Sequence, residues 1–139
     1  MSVDLHFVDT NVLVYLFDAD APAKQEVARR IIVEQADMIV LSTQILSEFY
    51  VSVTRKLAVP LSAEAARGEI EDLAMFRIQP IGVRTVKAAT LRSETSTLSY
   101  WDALVIETAT EAGAVRLVTE DLQHGQSFGG LRVVDPFTS

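Results

Sequence analysis

Short apolar runs alternate along the chain with longer stretches whose apolar residues recur three and four positions apart. Leu5-His6-Phe7-Val8 predicts a first strand, and the apolar run from Val12 to Phe17 a short helix. From Ala21 to about Glu34 the composition is helical, with Asp20 placed to cap the start and Pro22 tolerated in the first turn. Met38-Ile39-Val40-Leu41 predicts a second, buried strand, leading into a helix from about Thr43 to Leu57. The inward stripe of that helix is Leu46, Phe49, Tyr50, Val53 and Leu57. Past the Val59-Pro60 break, Ser62 caps a helix running to about Met75. Arg77 to Ile81 predicts a third strand, Thr85 to about Arg92 a short helix, and Ser93 to Thr97 a polar loop. Ser99 opens the clearest helix, with the stripe Trp101, Leu104, Val105, Thr108 and Ala112, and Gly113 stops it. Ala114–Val118 and Leu131–Val134 predict a fourth and a fifth strand. Strands alternating with helices predict an α/β fold with a mostly parallel sheet, and no repeat or linker divides residues 1–139, so a single domain is expected.

Composition narrows the class. At 139 residues, 49% hydrophobic and 22% charged, the chain has the balance of a folded domain and not of a disordered one. The 0 cysteines exclude a disulfide scaffold, a thiolate zinc site and a Cys nucleophile. Met1-Ser2-Val3-Asp4 has no secretory n-region, and no apolar run approaches the ~20 residues of a membrane span. The expectation is a soluble, cytoplasmic protein with no membrane partner. Twelve Lys+Arg against 19 Asp+Glu give a net charge of −7. A protein that coats nucleic acid by general electrostatics is usually basic. Either the partners here are neutral or basic, or some carboxylates hold metal ions that reverse the local sign.

Four carboxylates bear on that choice. Parallel α/β sheets bind ligands outside the carboxyl ends of their strands. Asp9 directly follows the first strand and Asp121 follows the fourth, in Val118-Thr119-Glu120-Asp121. Each alone reads as a turn former or helix cap. Glu48 and Asp102 lie within helices; the neighbours of Glu48 three and four positions away are Ile45, Val51, Gln44 and Ser52, and those following Asp102 are Val105 and Ile106. A carboxylate bordering a core suffers desolvation unless it is paired or bound to metal. Asp102 also fits a capping box with Ser99, and Glu48 could be a surface residue at a helix edge, but separate roles leave their shared placement a coincidence. Four clustered acids without a counterion repel one another; one or two Mg²⁺ or Mn²⁺ ions remove that difficulty, since hard cations prefer oxygen ligands. Such a site suits phosphodiester hydrolysis. Thr10, Asn11 and Thr119 are placed to hold carboxylates or water by hydrogen bonds.

The motifs carrying these acids resemble those of the PIN-domain ribonucleases, particularly the VapC toxins of type II toxin–antitoxin modules. The pieces are Phe7-Val8-Asp9-Thr10-Asn11-Val12-Leu13, Ser47-Glu48-Phe49, Tyr100-Trp101-Asp102-Ala103-Leu104 and Thr119-Glu120-Asp121-Leu122, in that order over nearly the whole chain. The family's four acids match Asp9, Glu48, Asp102 and Asp121, with the adjacent Glu120 open as the alternative at the fourth position. The resemblance implies a PIN-like three-layer sandwich, with a mostly parallel central sheet flanked by helices. It also implies Mg²⁺- or Mn²⁺-dependent cleavage of RNA, a homodimer, and inhibition by a cognate antitoxin protein.

The remaining chemistry is thin. His6 in a strand reads as packing or edge, and His124 follows the acidic loop toward a substrate; neither has a partner at zinc-ligand spacing. Arg55, Lys56, Arg84, Lys87 and Arg92 are candidate phosphate contacts but read mostly as solvated surface, and Trp101 reads as core packing. Gly125, Gly129 and Gly130 lack the following helix of a phosphate-binding loop. An aspartyl phosphotransferase wants a second Asp where Asn11 stands, and a receiver domain an Asp after the third strand, where Ile78-Gln79-Pro80-Ile81 offers none. A catalytically silent PIN domain acting as a protein-interaction module is the other reading.

Overall fold

The computed structural model describes residues 3–138. Six strands form one sheet: β1 (Leu5–Val8), β2 (Ile39–Ser42), β3 (Arg77–Gln79), β4 (Ala114–Val118), β5 (Ser127–Phe128) and β6 (Leu131–Val134). Their order across the sheet is β3-β2-β1-β4-β6-β5. All neighbours are parallel except the β5–β6 pair, which is antiparallel. The helices are α1 (Thr10–Val14), α2 (Pro22–Glu34), α3 (Thr43–Arg55), α4 (Ala63–Leu73), α5 (Val83–Glu94) and α6 (Tyr100–Glu111), with single 3-10 turns at Tyr15–Phe17 and Ala36–Met38. This is the α/β arrangement with a mostly parallel sheet that the sequence pattern leads one to expect.

The order of strands decides where a ligand can sit. After β1 the chain moves outward in one direction through β2 and β3, then returns past β1 to lay down β4 on its other side. Segments leaving β1 and β4 therefore diverge at their carboxyl ends and open a crevice between them. The pairing is carried one residue beyond both strands. Asp9 N–H donates to the Val118 carbonyl (3.0 Å) and Thr119 N–H to the Val134 carbonyl (3.1 Å). Asp9 and Thr119 are thereby held side by side at the crevice.

The core lies between the sheet and the helices. Phe7, Leu13, Ile39, Leu41, Ile45, Phe49, Ile106 and Leu117 are among its fully buried side chains. Phe49 also meets the Phe17 ring edge-on, with centroids 5.7 Å apart, which ties α3 to the turn after α1. On α3 the buried line is Ile45, Phe49, Ser52 and Val53, while the expected Leu46 and Tyr50 are only partly covered. A helix face is about 100° wide, so a stripe drawn one residue off still catches half its members.

Several local expectations need correction. The helix expected from Val12 begins at Thr10, because Asp9 caps it: Thr10 N–H donates to Asp9 Oδ1 at 2.8 Å. Asp20 does not cap α2; the position before Pro22 is Ala21, which makes no side-chain cap, and the proline itself sets the first turn. Ser62 and Ser99 cap α4 and α6 as expected, donated to by the backbone of Ala65 and Asp102. Helix α5 begins at Val83 and runs on through Ser93 and Glu94, into what reads as loop. Trp101 is not in the core: it is 62% exposed, because the buried positions of α6 are Ala103 to Ile106 with Thr108 and Ala109. Strand β5 has no counterpart in the sequence pattern, since two residues carry no periodicity. It forms a hairpin with β6 through Gly129 and Gly130, and Gly129 takes a left-handed φ of +62°.

Truncating Phe49 tests the packing account. Phe49→Ala should destabilise the fold by about 3–5 kcal/mol, as large buried aromatics do. Urea unfolding should show a lower midpoint with an unchanged slope.

Candidate functional site

Each of the four acids is delivered by a different element. Asp9 sits where β1 turns into α1, Glu48 in the second turn of α3, Asp102 in the first turn of α6, and Asp121 in the loop after β4. Asp9 is the most enclosed, at 9% exposure. One oxygen takes the Thr10 N–H, and the other takes the Thr119 hydroxyl at 2.7 Å. The Thr119 Oγ1 in turn accepts the Asp121 N–H at 3.1 Å, so one buried threonine organises both strand-end acids. Asn11 Nδ2 reaches Asp121 Oδ2 at 3.5 Å. Across the crevice, Glu48 accepts from Thr10 Oγ1 (3.1 Å) and from Gln44 Nε2 (2.6 Å). The structure places Thr10 against the carboxylates of Asp9 and Glu48, Asn11 against that of Asp121, and Thr119 against the carboxylate of Asp9 and the backbone N–H of Asp121.

Asp102 differs from the others. Its backbone N–H donates to Ser99 Oγ at 3.1 Å, but among the described residues the reciprocal bond of a capping box, from Ser99 N–H to the Asp102 carboxylate, is not made. The serine caps the helix, and the carboxylate is left over from that role.

Electrostatics bind the four into one site. Burial pushes the Asp9 carboxyl up to about 6; the Thr119 and Thr10 hydrogen bonds oppose the rise, and the charges of Asp121 and Glu48 add to it. Asp121 is also raised, by desolvation first and then by Glu120, Asp102 and Glu48. Among the described residues, no Lys, Arg or His forms an ion pair with any of the four. Nor do three of these acids converge closely enough to enclose an ion as they stand. Four anions without a counter-charge are expected to keep their distance. The donor set is nevertheless all oxygen, of the kind hard divalent cations take, and the acids share one electrostatic field.

The adjacent acids Glu120 and Asp121 part company. Glu120 accepts from Tyr15 Oη at 2.5 Å and pairs with Lys24 Nζ at 2.8 Å. Burial alone pushes its carboxyl up, but the Lys24 and Tyr15 hydrogen bonds outweigh that and leave it below the usual range. Lys24 also lies 4.8 Å from the centroid of the Tyr15 ring and 5.3 Å from that of Phe137. Glu120 is therefore spoken for, and Asp121 is the member of the pair that faces Asn11 and the other acids.

Beside Thr10, Asn11 and Glu48 opens a cleft of about 760 Å³. Its far walls are apolar, from Val51, Ile81, Leu104 and the exposed Trp101, and Lys56 contributes a positive charge. Tyr100 packs edge-on against Trp101 at 5.1 Å. Sequence reasoning read Trp101 as core packing and Gln44 only as a neighbour of Glu48 four residues earlier on its helix; both line this cleft. Of the other candidate cations, Arg92 is taken by Glu107 at 2.7 Å.

The PIN-domain family model matches residues 6–126, which span β1, all six helices, β4 and the loop bearing Asp121. The chain belongs to the PIN-domain family. Comparison with curated protein sequences finds no match. Among solved structures, this PIN domain resembles a toxin–antitoxin complex from Klebsiella pneumoniae, with a TM-score of 0.71 and 19% identity over 95% of this chain and 98% of that one. It also resembles VapC20 of Mycobacterium tuberculosis, a sarcin–ricin loop-cleaving toxin, with a TM-score of 0.65 and 17% identity over 84% and 89%. A third is the DNA-bound VapBC of Salmonella typhimurium, with a TM-score of 0.63 and 19% identity over 95% and 98%. At these identities the likeness is one of fold. No helix among the described residues is long and apolar enough to cross a membrane.

The raised Asp9 carboxyl makes a signed prediction for the metal-free PIN domain. Its folded pKa of about 6 exceeds the ordinary 3.8, so its contribution to stability is full below about pH 4 and is lost as pH rises through 6. The loss is on the order of 3 kcal/mol. Asp9→Asn, which cannot ionise, should raise the melting temperature in EDTA at pH 8 by several degrees and leave it unchanged at pH 4. A variant that melts at or below wild type at pH 8 would sink this reading.

Proposed function

We propose that the protein is a Mg²⁺- or Mn²⁺-dependent endoribonuclease, the toxin of a toxin–antitoxin pair, with RNA as substrate and a cognate antitoxin as partner. The observation that carries the proposal is the set of four carboxylates at the crevice between β1 and β4, unpaired with any cation among the described residues and bordering an open cleft. Membership of the PIN-domain family and structural likeness to toxins of toxin–antitoxin complexes support it.

Asp9, Glu48, Asp102 and Asp121 would hold the metal, which when bound supplies Lewis acidity toward a phosphodiester and a lowered pKa for water. The chain's own residues do the positioning. Thr119 fixes the rotamer of Asp9 from inside the protein, and Thr10 and Gln44 fix Glu48 from two sides. Asn11 Nδ2 reaches Asp121 from the start of α1. Lys56 offers the incoming strand a positive charge, and the apolar wall with Trp101 offers its bases a surface to lie on. Asp9 and Asp121, whose carboxyls are raised in the absence of a counter-charge, stay ionised most readily with the cation present, so the metal and the charge pattern favour one another. The alternative, a silent interaction module, has a use for Asp9 as the cap of α1 but none for its buried charge.

Cellular RNA incubated with the antitoxin-free protein should give discrete fragments with Mg²⁺ or Mn²⁺ and none with EDTA. Asp102→Asn should lose more than about a hundredfold in rate and weaken Mn²⁺ binding by calorimetry. Thr119→Val removes only a group that orients Asp9, so its loss should fall in the ~10–100-fold range of such partners. Failure of the wild type both to cleave and to bind Mn²⁺ would return the silent module.

A further inference from the structure

One face of the sheet carries a row of basic side chains that the carboxylate site does not use. His6, Arg116 and Arg132 are register partners on β1, β4 and β6. Their side chains therefore leave the same face of three neighbouring strands, about 4.8 Å apart. Two guanidiniums side by side on adjacent strands repel. Among the described residues, neither has a carboxylate within 4.0 Å, in a chain of net charge −7. An acidic protein that keeps two arginines adjacent and unneutralised leaves room for an anion from outside.

The row is also built from beneath. His6 is only 4% exposed, and both ring nitrogens are engaged. A guanidinium has only donors, so Nε2 accepts from Arg116 Nη1 at 3.1 Å. Nδ1 then carries the proton and donates to Gln35 Oε1, just past the end of α2, at 2.8 Å. One branch of Arg116 is thus fixed, leaving its remaining N–H groups for a ligand. At the rim stands His124, whose Nδ1 accepts the Asp135 N–H at 3.0 Å, which puts its ring proton on Nε2 as a further donor. The nearby Asp135 carboxylate is turned to the Phe137 N–H at 2.9 Å. These side chains line a pocket of about 350 Å³ floored by Ile31 and Val118.

We infer that this pocket is a phosphate site, and that, resting on the ribonuclease reading, it takes a backbone phosphate of the RNA strand outside the cleavage position. Paired guanidiniums with an N–H donor beside them match a phosphate's oxygens, and arginine forks bind them bidentately. Arg116 lies three residues before Thr119, so the row is about 10 Å from the strand ends that carry the acids. His124 follows Asp121 by three residues in one loop, so pocket and acids share that edge of the sheet. A site on this face supplies the attraction for a polyanion that the four acids do not.

The test compares wild type with the Arg116→Gln/Arg132→Gln double variant. Both residues are exposed, but Arg116 also donates to the buried His6, so the variant should melt somewhat below wild type, and binding is compared at a temperature where both are folded. Anisotropy of a short fluorescent 2′-O-methyl RNA in EDTA, which cannot be cleaved, reads binding over a KCl series. The variant should bind about tenfold weaker, with a log–log salt slope shallower by about 0.7 for the lost phosphate contact. In Mn²⁺ its KM for cleavable RNA should rise while kcat holds. Equal affinity and equal slope, with wild-type cleavage intact, would overturn the site and leave the ribonuclease reading standing. If wild type does not cleave RNA, yet millimolar inorganic phosphate raises its melting temperature and not the variant's, the phosphate site stands and its RNA occupant is overturned.

Discussion

A carboxylate removed from water, with two hydrogen-bond donors and, among the described residues, no cation to meet it, is the constraint around which this protein is arranged. Asp9 lies where β1 ends and α1 begins, and its two oxygens are taken by the Thr10 N–H and the Thr119 hydroxyl. Those bonds require that β4 lie directly beside β1, that Thr119 be buried, and that α1 start at once without a loop. The strand order meets each condition, because β4 is laid next to β1 only after β2 and β3 have been placed on the far side. Asparagine at position 9 would keep a cap on α1 without a buried charge. The acid is retained at the expense of stability, a pattern expected where a site needs a charge that the fold does not.

From that fixed point the other groups fall into two ranks. Thr10 and Thr119 each serve two acids, so the chain needs few residues to orient many oxygens. Glu48 is held through a helix neighbour, Gln44, and depends on α3 being seated by Phe49 on its inner side. Among the described residues Asp102 is oriented by the helix that carries it alone, with Ser99 capping the end of that helix. Rigidity thus decreases from Asp9 outward, and the acid with the fewest side-chain tethers is the one freest to follow a ligand.

Much of this was legible in the sequence, for reasons that differ by residue. Asp9 and Asp121 stood at strand ends, and strand ends in parallel sheets are where ligands bind. Glu48 and Asp102 were visible because each broke an apolar helical face. Separating Asp121 from Glu120 needed coordinates, since what decides it is Lys24 and Tyr15, 96 and 105 residues away in the chain. Trp101 misled because α6 is buried around most of its girth, which blurs the stripe from which an inward side is read. The arginine row was invisible for a related reason. Arg116 and Arg132 each interrupt an apolar strand, but nothing local says that β4 pairs with β6 in a register that sets them side by side.

The clamp formed by Lys24, Tyr15 and Glu120 acts on the arithmetic of charge. Were Glu120 free to swing inward, the crevice would hold five negative groups, and any anionic substrate would approach against one more repulsion. By tying that carboxylate to α2, the protein keeps the count at four and hands the neutralised fifth a mechanical task. It becomes the fastening between the first turn of α2, the turn after α1 and the loop that bears Asp121. A residue adjacent in sequence to the acids is in this way converted from ballast on the site's charge into the peg that holds its loop in place.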